Sequence, residues 1–172
     1  ADSGLPLDQF DHPENLIPFR EGGRLLGMCA DRTACAHLGL LIGKYTPLDS
    51  LGIVADLARS AADVRGAMHL MSRYLTLTDG GGLLSLTEGS RLASFNYAIY
   101  EPGVERLEVV YDTALAVMWN VLRALCGNRW IPHEVLLTRS RPVDLRPYRN
   151  FFRAPLRFDT ELSSLVFESR WL

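Results

Sequence analysis

The groups best placed to do something in this chain of 172 residues are suited to holding a small molecule rather than to catalysis. Tyr74, Asn96, Tyr97, Tyr100, Tyr111, Trp119 and Trp130 are polar or combine an apolar body with a polar tip, as pocket-lining side chains commonly do. Arg123 and Arg139 carry a forked guanidinium that can grip an anion in two places. From these we take Tyr74, Asn96, Tyr97, Trp119, Arg123 and Trp130 as the candidate ligand-binding set. For each residue alone, ordinary packing in the core or at its rim is the commoner use.

Catalytic patterns are missing. His12, His37, His69 and His133 share no metal-ligand spacing of the HExxH kind, so no metal is expected. Ser85, Ser90 and Ser94 stand in no GxSxG setting, which would present a nucleophilic hydroxyl on a sharp turn. Asp79-Gly80-Gly81-Gly82 follows a helical stretch and lacks the Lys-Ser or Lys-Thr of a phosphate cradle, so it reads as a turn. No pair of carboxylates stands out for acid–base work. The chain is therefore not expected to be an enzyme or to need a cofactor.

The elements that must position these side chains are organised around residues 105–126. Leu107, Val110, Ala114, Val117, Met118, Val121, Leu122 and Leu125 recur at steps of three and four, which predicts one long amphipathic helix. Glu105 and Glu108 sit near its start and Arg123 near its end, as the helix dipole favours, and Gly127 supplies a stop. Before it, residues 1–13 show no periodicity and read as a mobile lead-in. Residues 14–43 predict two helices, the second starting near Thr33, and Ala55–Arg59 a short third. Ser60 is the expected N-cap of a further helix through Tyr74-Leu75, with Asp63 three residues on. The period then changes to two. Residues 83–100 predict a hairpin, and strands are expected near 134–139, 156–158 and 164–167. The order implies an α+β fold in which helices pack on an antiparallel or mixed sheet.

Bulk composition narrows the function. A net charge of −2 and a pI near 6.1 leave no basic stripe for nucleic acid. With 48% hydrophobic and 22% charged residues, the chain suits one globular domain over residues 1–172. No apolar run reads as long enough to span a bilayer, and no signal peptide opens the chain. Cys29, Cys35 and Cys126 form an odd, widely spaced set and are expected as reduced, mostly buried thiols of a cytoplasmic protein.

An ordered set of residues resembles a known family. It comprises Leu125-Cys126-Gly127, Trp130, Pro132 and Val135, then Pro142, Tyr148, Phe151-Phe152, Ala154-Pro155 and Phe158, and finally Leu165-Val166-Phe167 and Trp171-Leu172. Upstream, the glycine-bounded Leu38–Gly43 and the stretch from Ala67-Met68 to Arg73-Tyr74-Leu75 belong to the same pattern. The set resembles the N-terminal ligand-sensing domain, labelled arabinose-binding, of AraC/XylS-type transcription regulators, in the branch that includes the ornithine-utilisation type. Arg139 stands where that family usually has His, and Arg153 where it usually has Gly. The resemblance implies a domain that binds a small-molecule effector, forms a homodimer and touches DNA only through a helix-turn-helix domain following Leu172. Starting at Ala1 without a Met fits a trimmed segment of such a protein.

Overall fold

The structure, a computed structural model, describes residues 4–12 and 15–172. Strands β1 (Gly82–Glu88) and β2 (Leu92–Ile99) form the expected hairpin. On the other side of β2 runs β5 (Ser163–Glu168), antiparallel to it. Next come β3 (Glu134–Leu136), antiparallel to β5, and β4 (Leu156–Arg157), parallel to β3. The mixed sheet has the order β1-β2-β5-β3-β4. The ladder of β3 stops short of Arg139 because β5, its partner, begins at Ser163. Strand alternation sends Leu84, Phe95, Tyr97, Val135, Leu165 and Phe167 into the core, and Ser85, Thr87 and Asn96 to the opposite face.

Among the described residues there are six helices: α1 (Phe19–Arg32), α2 (Leu38–Lys44), α3 (Ile53–Ser60), α4 (Val64–Tyr74), α5 (Leu107–Cys126) and α6 (Arg146–Phe152). Helices α4 and α5 pack on the sheet, and α1, α2 and α3 pack on those two. The long α5 crosses the sheet, with Leu115, Ala116, Val121 and Leu122 wholly buried. By length and composition α5 could cross a bilayer, contrary to the expectation from sequence. Here it packs against α2, α1 and the sheet as a core helix.

Several local expectations are corrected. Thr33 does not open a helix; it caps the end of α1 and its hydroxyl donates to the carbonyl of Cys29. The N-cap of α4 is Asp63, not Ser60. Asp63 is extended and its carboxylate accepts the N–H of Gly66 at 2.7 Å, whereas Ser60 closes α3 and donates to Leu57. The three cysteines are free, but Cys29 is exposed and Cys35 and Cys126 are half-buried. The expected start of the first helix at Glu14, and part of the lead-in, lie outside the described residues; its described part holds a 3-10 turn over Leu7–Phe10. Arg153, where the family pattern has Gly, caps α6 in the left-handed conformation (φ 53°) that Gly adopts with least strain.

One contact sets the depth of the helical layer. A Cβ on Gly39 would lie 2.1 Å from the carbonyl oxygen of Val109, and one on Gly43 would lie 2.5 Å from the Cβ of Ala116. The two glycines are one turn apart on α2, so its backbone rests directly on α5. The side chain of Asn120 then bonds back to the carbonyls of Gly43 and Thr46 at 2.9 and 2.8 Å. Gly39→Ala improves helix propensity by about 1 kcal/mol but forces the helices apart. We expect a net destabilisation of roughly 1–3 kcal/mol, read as a lower urea midpoint at unchanged slope.

Candidate functional site

A cavity of about 760 Å³ opens between α4, α5, the hairpin and the segment leading into α1. One wall is the face of α5 bearing Val110, Ala114, Val117, Met118 and Val121, at the steps of three and four seen in the sequence. Met71 and Leu75 close it from α4, Leu84 and Tyr97 from the sheet, and Leu16–Phe19 from the N-terminal side. The volume falls within the range of small-molecule sites, and the walls are mostly apolar.

The polar end of the cavity is built by the turn at Asp79. One carboxylate oxygen accepts the N–H groups of Gly81 and Gly82 at 3.0 and 2.8 Å, which folds the chain into β1. Its other oxygen accepts the phenol of Tyr97 at 2.6 Å. Gly82 is required here because a Cβ would meet the Tyr97 hydroxyl at 2.4 Å. Burial, and after it the charge of Asp79, hold the Tyr97 phenol well above its usual range, so it stays protonated and donating. The ring of Tyr111 meets Tyr97 edge-on at 5.9 Å.

Of the six candidate residues, only Tyr97 lines this cavity. Asn96, the next residue on β2, points to the other face of the sheet. There it donates to Thr87 at 3.1 Å and accepts from Ser164 at 2.7 Å, tying three strands together. Trp119, Arg123 and Trp130 do come together, at the far end of α5. The indoles meet at 6.5 Å, and the guanidinium of Arg123 lies over Trp119 at 5.2 Å and donates to the Trp130 carbonyl at 3.1 Å. They pack with Phe151 and Phe167 and fasten the loop that follows the helix. Tyr74 ends α4 beneath Arg73. Sequence reading missed Asp79 as a site residue, although the Asp-Gly-Gly signal was visible as a turn. The apolar stripe of α5 was also visible, but periodicity does not say which part of a stripe meets a void.

A second polar cluster is buried beside Gly39. Asp112 on α5 accepts from the guanidinium of Arg139 and from the hydroxyl of Tyr148 on α6. Arg139 also donates to that hydroxyl, and its charge lies 5.5 Å from the Tyr148 ring. Burial outweighs the attraction of Arg139 and pushes the Asp112 carboxyl up to about 6. The folded state therefore binds this proton more tightly than the unfolded chain. The stability Asp112 adds is full below about pH 4 and is lost as pH rises through about 6. Arg139→Met would leave a buried carboxylate without a cation. We expect it to cost about 3–5 kcal/mol at pH 8 and clearly less at pH 5, where Asp112 can protonate; urea denaturation at the two pH values checks this.

Comparison with known proteins agrees with this architecture. The family described as the arabinose-binding domain of AraC transcription regulators, N-terminal, matches residues 1–172. The HTH-type transcriptional regulator VirS of Mycobacterium tuberculosis, in strains CDC 1551 / Oshkosh and ATCC 25618 / H37Rv, is 32% identical over 108 residues. That match covers 60% of this chain and 31% of VirS. The crystal structure of the transcriptional regulator CdpR from Pseudomonas aeruginosa superimposes with a TM-score of 0.71 at 18% identity. It covers 98% of this chain and 57% of that one, and the likeness is one of fold. With the family pattern matched from end to end, the chain belongs to the arabinose-binding N-terminal domain family of AraC transcription regulators.

Proposed function

We propose that this domain senses a small-molecule effector held in the cavity between α4, α5 and the hairpin. The observation that carries the reading is the cavity itself: about 760 Å³, largely apolar, with a few polar groups gathered at the Asp79 end. Tyr97 is the residue of the original candidate set that we assign to it, joined by Asp79, Met71, Ala114 and Met118. In the whole protein the effector would control a dimer that reads DNA through a helix-turn-helix unit beyond Leu172. The name of VirS as an HTH-type regulator, and the 31% of its length that this match covers, support that arrangement.

An effector can act only by binding two conformations differently. Helix α4 is the carrier in this scheme. Its later turns border the cavity through Met71, with Leu75 just beyond the helix end, and near its start the N–H of Arg65 donates to the carbonyl of Leu172 at 3.4 Å. A ligand that displaced Met71 would bear on the same helix that meets the end of the chain. Nothing in this scheme uses a sugar in particular. A wall so poor in polar groups would leave most sugar hydroxyls unpaired.

The test is a thermal-shift screen of the domain against a metabolite panel, in parallel with Ala114→Trp, which places an indole in the cavity. An effector at a hundredfold excess over its dissociation constant should stabilise the wild type by about 2.7 kcal/mol. The variant should melt no lower than wild type, because the new ring fills a void, and should not respond. Equal responses of both proteins would move the effector site elsewhere, and a panel without any response would favour a ligand-free interaction domain.

A further inference from the structure

The hydroxyl hydrogens of Tyr97, Thr78 and Thr113 around the cavity are already committed, and this restricts the chemistry of what can bind. The Tyr97 hydroxyl donates to Asp79 at 2.6 Å, that of Thr113 to the carbonyl of Val109 at 2.9 Å, and that of Thr78 to the carbonyl of Leu75 at 3.1 Å. The N–H groups of Gly81 and Gly82 are likewise spent on Asp79. What these groups still offer is lone pairs: the Oδ2 of Asp79, the phenol oxygen of Tyr97 and the hydroxyl oxygens of Thr78 and Thr113. Among the described residues no Lys, Arg or His lines the cavity, while two carboxylates, Asp79 and Glu101, do. Glu101 is bound by the guanidinium of Arg20 at 2.8 Å, so Asp79 is the lining carboxylate without a cation among the described residues. The free hydroxyls of Ser50 and Thr76 lie at exposed positions on the rim.

We infer that the effector is an apolar molecule carrying a hydroxyl or amino hydrogen-bond donor, which it turns toward Asp79 and Tyr97, and that carboxylates and phosphates are excluded. This rests on the cavity being the effector site. A carboxylate head would meet a like charge and a row of acceptors in an apolar surround, and repulsion and desolvation would act together. An alcohol would pair with those acceptors, and an ammonium group would also gain a charge-assisted bond to Asp79.

The test uses N-phenyl-1-naphthylamine, an uncharged dye that brightens in apolar surroundings, with three competitors that share one body: 4-phenylbutan-1-ol, 4-phenylbutylamine and 4-phenylbutyrate. The dye should brighten with the wild type and not with Ala114→Trp. The alcohol and the amine should displace it, with the carboxylate weaker by at least about tenfold. Asp79→Asn, which keeps an acceptor for the turn but removes the charge and the second acceptor, should weaken the amine by about tenfold and the alcohol by less. Displacement by the carboxylate as strong as by the alcohol and amine, or no displacement by either donor, overturns the inference while the cavity stands. Failure of the dye to distinguish wild type from Ala114→Trp overturns the cavity reading itself.

Discussion

The seating of α2 on α5 is the constraint from which the rest of this structure follows. Two glycines one turn apart bring the helix backbones closer than any side chain would permit, and the close approach leaves Asp112 sealed beneath Gly39. A carboxylate in that position must be neutralised or paired. The pairing comes from Arg139, at the end of the stretch that carries β3, and from Tyr148 on α6. One buried charge thus joins the long helix to the far side of the sheet and to the helix beyond it. The arrangement costs stability near neutral pH, since burial outweighs the ion pair.

With one side of α5 held against α2, the adjacent face bearing Val110, Ala114, Val117 and Val121 looks toward the hairpin and α4. The cover there is incomplete, and the cavity is what remains. Asp79 holds the opposite wall by an economical device: a single carboxylate shapes the turn into β1 and fixes the Tyr97 phenol. Shape at the mouth and polarity inside therefore depend on the same residue.

The aromatic residues that attract attention in the sequence serve two different ends. Trp119 and Trp130 are large and amphipathic, as pocket residues tend to be, yet with Arg123 they fasten the end of α5 to the following loop. Asn96 braces three strands on the face turned away from the cavity. Tyr97, its neighbour, borders the cavity because strand alternation turns successive side chains to opposite faces.

Local sequence determined the elements. Periods of 3.6 and two, the glycine run after Asp79 and the stop at Gly127 were enough to read the long helix, the hairpin and the α+β class. They were enough because helix and strand periodicity is a property of neighbouring residues, and the ordered family pattern added the regulator reading. Tertiary structure decided what periodicity does not encode. Asp63 rather than Ser60 caps α4, since both stand before an apolar run and only the path of the chain chooses between them. The contacts of Asp112 with Arg139 and Asp79 with Tyr97 join residues 27 and 18 positions apart, spacings with no signature in either period. The void itself is a property of how faces meet, and an apolar stripe looks the same in sequence whether its neighbour fills the space or leaves it open.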